Sequence, residues 1–158
     1  MKTSLIKGAT FGLTSGIITT LGLIVGLNSG THSKTVVLGG ILTIAIADSL
    51  SDALGVHVSE ESENRHTNKE IWTSTIATLI SKFLFALTFI LPVVLFKLDT
   101  AIKISIAWGL FFLSFLSFLI ARHSDKKPFN VIAEHISIAT AVIIITNYTG
   151  KIVSLLVP

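Results

Sequence analysis

Five apolar stretches dominate this chain, each long enough to cross a membrane as a helix and each separated from the next by a polar break. A hydrocarbon core of about 30 Å takes roughly 20 helical residues. The stretches run approximately over residues 8–27, 35–59, 71–96, 101–121 and 129–156. They are continuous rather than alternating, so helices are expected and barrel strands are not. Of 158 residues, 51% are apolar and only 13% charged, about half the charged share of an ordinary soluble domain, roughly 25%. Too little polar surface remains to cover a water-soluble globule, and disorder is excluded because disordered chains are charge-rich. The expected fold is an all-α integral membrane protein with a single five-span domain.

The connectors refine that reading. Pro128 suits the first turn of a helix, and Lys97 to Thr100 leaves room for a tight hairpin only. Residues 60–70 form a short acidic connector. The first stretch, behind Lys2 and Lys7, is too long for a cleaved signal and lacks a small-x-small cleavage site, so it is read as the first span. With the N-terminus in the cytoplasm, that side holds Lys2, Lys7, Arg65, Lys69, Arg122, Lys126 and Lys127. The other side holds Lys34, Lys97, Lys103 and Lys151, so the positive-inside bias favours this orientation. The net charge of +3 has no basic stripe behind it, which argues for membrane orientation and against nucleic acid. Cysteine is absent and Met1 is the lone methionine, so thiolate and thioether ligands are excluded. No phosphate loop, nucleophile triad or haem pattern occurs, and nothing argues for catalysis.

Ionisable groups inside a span are costly and mark partners, pathways or bundle interiors. Asp48 and Asp52 in the second span and Lys82 in the third are such groups. The two aspartates are four residues apart and share a helical face, about 6 Å from each other. Ser59 and Glu63 extend the stripe towards the acidic connector. Oxygen donors suit hard divalent cations, and Mn²⁺ or Fe²⁺ also accepts imidazole. Asp48, Asp52, Glu60, Glu61 and Glu63 are therefore the candidate metal ligands, with Asp52 foremost. Lys82 is assigned to proton coupling or an ion pair with one of the aspartates. A structural tie between two helices would explain that pair but leave one carboxylate over. The connector acids also have a plain reading as solvated side chains. His57 points away from the Asp stripe and suits packing, Glu134 suits a helix start, and a pathway role for Glu134 and His135 is the minor alternative. Gly8, Gly12 and Gly16 allow close helix approach, either within the chain or across a homodimer seam. Asn147 and Tyr148 are expected to make helix–helix hydrogen bonds.

The second-span run Ser51-Asp-Ala-Leu-Gly-Val-His-Val-Ser59, followed by Glu60-Glu-Ser62, resembles the vacuolar iron transporter family pattern Ser-Met-Ala-x-Gly-Glu-Tyr-x-Ser-x-x-Ser. Gly8-Ala-Thr-Phe-Gly-Leu13 is similar to that family's Gly-Ala-Asn-Asp-Gly-Leu opening. Pro92, Ala121-Arg122 and Asn147-Tyr-Thr-Gly150 fit the same template. The resemblance implies five spans, a cytoplasmic N-terminus and a homodimer that exchanges Fe²⁺ or Mn²⁺ for protons, with the metal as cargo and no permanently bound cofactor. It also implies a multi-pass protein of the cell membrane in a prokaryote or an organelle membrane in a eukaryote. The family's ligand-type positions are changed here: its first-span Asp falls on Phe11, its second-span Met on Asp52, and its Glu on Val56. Some members' long metal-binding insertion is reduced here to about residues 60–70. Two further readings stay open, a non-transporting membrane scaffold that docks a partner and a proton-driven carrier of another small solute.

Overall fold

The computed structural model describes residues 1–124 and 126–156. Among the described residues six helices follow one another: α1 (Lys2–Thr31), α2 (Lys34–Ser62), α3 (Asn68–Thr88), α4 (Ile90–Leu95), α5 (Leu98–His123) and α6 (Pro128–Leu156). With α3 and α4 taken as one crossing, five segments are long and apolar enough to span a membrane. No strand occurs among the described residues. The protein is a multi-pass integral membrane protein.

The helices outrun the apolar stretches. At 1.5 Å per residue, the 30 residues of α1 reach about 45 Å, so its ends emerge beyond the hydrocarbon core. Helix α2 likewise continues to Ser62 and carries Glu60 and Glu61 with it. Local chemistry sets the ends. The Ser33 side chain caps α2 by accepting from the Val36 N–H, and Thr67 with Glu70 forms a reciprocal capping box on α3. His32 closes α1 in the left-handed region, at φ 49°. The third crossing, expected as one helix over 71–96, is broken at Phe89. Pro92 has no N–H to offer the Thr88 carbonyl and its ring crowds that oxygen. The chain tightens there, with the Phe89 N–H bonding Ala86 O at 3.2 Å. The Lys34 ammonium reaches across to the end of α4, donating to Val94 O at 3.0 Å and Phe96 O at 3.1 Å.

Helix α1 is the hub, packed against α2, α3, α5 and α6. Its Ile17, Leu21 and Ile24 enter the core with Val37, Ile41, Phe89 and Leu113. In lipid, apolar side chains gain little by leaving the solvent, so close packing and interhelical hydrogen bonds must hold the bundle. Gly8, Gly12 and Gly16 provide the closeness. A methyl group at Gly8 would run into the Ser74 backbone, one at Gly12 into Thr78 and Ser81, and one at Gly16 would lie 3.2 Å from Lys82 Cγ. Thr78 Oγ1 donates to Gly8 O at 3.1 Å across this contact. Of the two uses expected for the Gly8, Gly12 and Gly16 stripe, the chain uses it internally, against α3. Further along, Gly26 and Gly150 bring α1 and α6 together, and Ser29 Oγ donates to Asn147 Oδ1 at 2.5 Å. Tyr148 does not join that bond. It is exposed and lies 5.8 Å from the Lys151 ammonium, because it falls on the outward side of α6.

Candidate metal-transport site

Antiparallel packing of α1 against α2 sets two four-residue stripes face to face. On α1 the stripe is Lys7, Phe11, Ser15 and Thr19; on α2 it is Glu60, Val56, Asp52 and Asp48. Three rungs are polar contacts. Thr19 Oγ1 donates to Asp48 Oδ2 at 3.0 Å, Ser15 Oγ donates to Asp52 Oδ2 at 2.6 Å, and Lys7 Nζ lies 3.1 Å from Glu60 Oε1. The remaining rung is apolar, Phe11 opposite Val56.

Lys82 enters this ladder from α3. Its ammonium lies 2.5 Å from Asp48 Oδ2 and 2.5 Å from Asp52 Oδ2, and donates to Ser15 Oγ at 2.9 Å. The Lys82 ammonium thus has two hydrogen-bond acceptors, Ser15 Oγ and Asp52 Oδ2, and a second counter-charge in Asp48, which offsets the cost of burying a residue only 1% exposed. The two carboxylates remain 29% and 22% exposed. Two negative charges against one positive leave the cluster one charge negative. The sequence left open which aspartate faces Lys82; both do.

The two aspartates look into different spaces. Asp52 lines an open cleft of about 860 Å³ that follows α2 through Ser51, Gly55, Val56 and Ser59 to Glu60, with Lys7, Phe11, Ile120 and His135 on its other walls. Asp48 lines a second cavity of about 470 Å³ that follows α2 the other way, through Ala47, Thr43 and Gly40 to Val36. The Lys82 clamp therefore stands between two open grooves that run along α2 in opposite directions. Phe11, Asp52 and Val56, where the family pattern carries Asp, Met and Glu, line one cleft.

The acidic connector does not act as a unit. Glu60 is buried, and its Oε2 accepts from Ser74 Oγ. Glu61 is exposed, and Glu63 is exposed and 3.4 Å from His66. Successive helical residues turn about 100°, so neighbours in sequence part in space. Among the described residues, no three His, Asp or Glu side chains come close enough to hold an ion together. His57 packs as expected, edge-on to Trp72 at 4.7 Å and 3.1 Å from Thr75 Oγ1. Sequence reasoning gave too little weight to Lys7, Ser15, Thr19 and His135. The four-residue register on α1 signals the first three; the place of His135 depends on a contact between helices, the Ser117 hydroxyl 2.7 Å from its Nδ1.

The sequence model of the VIT family matches residues 6–73, which covers almost all of α1, all of α2 and the first turns of α3. Both stripes of the ladder lie inside that match, and Lys82 lies outside it. No curated protein and no solved structure matches the chain.

Proposed function

We propose that this chain is a membrane metal-ion transporter of the VIT family, whose sequence model it matches over residues 6–73, and that it carries a divalent cation, Fe²⁺ or Mn²⁺, in exchange for protons. The observation behind the reading is the position of the Lys82–Asp48–Asp52 clamp between two open grooves that run along α2 in opposite directions. In the resting state the ammonium fills the place of a transported cation. A divalent ion entering along the cleft to Asp52 sets a second positive charge beside Lys82 and drives off a proton. Two carboxylates, a neutral amine and a divalent ion then sum to zero, against minus one with the ammonium alone. Ser15 and Thr19 hold the carboxylates in place through the exchange. An all-oxygen donor set with a neighbouring imidazole suits Mn²⁺ or Fe²⁺ and disfavours Cu⁺. Glu61 and Glu63, exposed near the cleft mouth, raise the local cation concentration.

The working unit in this reading is a homodimer with cytoplasmic N-termini, joined through α2. Gly39, Thr43, Ala47, Ser51, Gly55 and Ser59 form a four-residue stripe of small side chains, all exposed. Gly39 and Gly55 have open space where a side chain would stand. The stripe borders both cavities, so a second copy laid along it would wall them off and shield two carboxylates from lipid.

The test is flux of Fe²⁺, Mn²⁺ and Zn²⁺ into proteoliposomes, with and without a proton gradient. Wild type is expected to move Mn²⁺ or Fe²⁺ in a gradient-dependent manner, and folded Asp52→Asn is expected to lose that flux. Undiminished flux in Asp52→Asn would discard the site. Apolar Phe11 and Val56, at positions where the family pattern carries carboxylates, favour the scaffold reading instead, which predicts no flux from well-folded wild type.

A further inference from the structure

Glu60 is a buried carboxylate, unlike the partly exposed Asp48 and Asp52, and the Lys82 clamp does not account for it. The side chain is 1% exposed and lines the cleft at the end remote from Asp52. One oxygen accepts from Ser74. The other, Oε1, is buried and accepts no hydrogen bond. Its counter-charge is the Lys7 ammonium 3.1 Å away, on a side chain that is half exposed. A buried carboxylate oxygen without a directed donor is costly, and a flexible solvent-facing lysine supplies charge without geometry. The arrangement repeats the Lys82 clamp in looser form.

We propose that Glu60 is a second cation station, held by Lys7 until a divalent ion replaces it. Eight residues of α2 separate Glu60 from Asp52, about 12 Å along the axis. The rung between them is Phe11 and Val56, which offers no charge, while the hydroxyls of Ser51, Ser59 and Thr14 line the same cleft. Glu60, the Ser74 hydroxyl and water make a loose oxygen set suited to a partly hydrated Mn²⁺ or Fe²⁺. The inference takes its direction from the transport reading, but binding alone tests it.

Mn²⁺ binding to the purified chain in detergent, counted by loss of the free aqueous Mn²⁺ spin-resonance signal, separates the two stations. Wild type is expected to bind one Mn²⁺ that depends on Asp52 and a weaker one that depends on Glu60. Glu60→Gln keeps an acceptor for Ser74 and should lose only the weaker ion. Lys7→Met removes the competitor and should tighten that ion by roughly tenfold, the effect of about 1.4 kcal/mol. Glu60→Gln titrating like wild type, or Lys7→Met leaving the weaker affinity unchanged, would overturn the station. Should Glu60→Gln fail to fold, Lys7→Met decides alone, because it leaves the Glu60–Ser74 bond in place. Loss of the weaker ion in Glu60→Gln with no effect of Asp52→Asn would keep this station and remove the clamp from the transport site.

Discussion

Asp52 and Lys82 lie on different helices, 30 residues apart in sequence, and their charged atoms meet at 2.5 Å inside the bundle. Asp48 closes on the same ammonium from one turn away. Removing the ammonium leaves two carboxylates facing each other with only hydroxyls between them. Breaking a buried pair by deleting one partner costs about 3–5 kcal/mol. Lys82→Met should therefore lower the unfolding temperature sharply in detergent. The double variant Lys82→Met with Asp52→Asn, which deletes one charge of each sign, should recover part of the loss. No recovery would mean that Lys82 supports the fold through packing alone.

Ser15 does two tasks at one oxygen, accepting from Lys82 and donating to Asp52. Ser15→Ala removes both bonds without changing the helix. Leaving buried polar groups short of a partner costs about 1–3 kcal/mol. The expected result is folded protein with a modest loss of thermal stability and weaker Mn²⁺ binding. Unchanged Mn²⁺ affinity in this variant would show that Ser15 does not position the Asp52 carboxylate for the ion.

The two small-residue stripes make opposite predictions. Gly12 faces α3 so closely that a side chain would enter Thr78 and Ser81, whereas Gly55 faces open space. Gly12→Leu should fail to give a folded monomer, since overpacking a tight contact costs about 1–3 kcal/mol or more. Gly55→Leu should leave the monomer intact and separate the proposed dimer. Light scattering of the detergent-solubilised protein reads the mass, and a Gly55→Leu dimer would remove α2 as the seam.

These residues also mark what the chain discloses before its fold is known. Five crossings follow from the length and continuity of the apolar runs. Asp48 and Asp52 declare a shared face through their spacing, and Lys82 declares its depth through its place in the third stretch. That one ammonium serves both carboxylates depends on how α3 is rotated against α1, and periodicity carries no information on that rotation. The Gly8, Gly12 and Gly16 spacing is legible as close packing, yet it fits a neighbour in the same chain as well as one in a second copy. Gly39 to Ser59 escaped notice because Thr43, Ser51 and Ser59 read as polar residues rather than as small ones. Glu60 is legible as a candidate ligand within an acidic run, but its burial is not, since only the continuation of α2 to Ser62 turns it inward. The break at Phe89 is the delayed effect of Pro92 on the turn before it.

The exchange reading has a direction in pH that a structural clamp lacks. A cation that binds as a proton leaves must bind more weakly as protons become abundant. Mn²⁺ affinity at the Asp52-dependent station should therefore rise with pH, by up to about tenfold per unit for each proton released. On the exchange reading, falling pH should return a proton to the cluster and expel the ion. Mn²⁺ titrations at several pH values, paired with calorimetry in buffers of different ionisation enthalpy, count the protons released for each ion bound. At least one proton for each Mn²⁺ is the expected count in wild type. Lys82→Met should release fewer, because its cluster has lost the ammonium. Affinity independent of pH, with no proton released, would leave Lys82 as a helix tie and take proton exchange out of the mechanism.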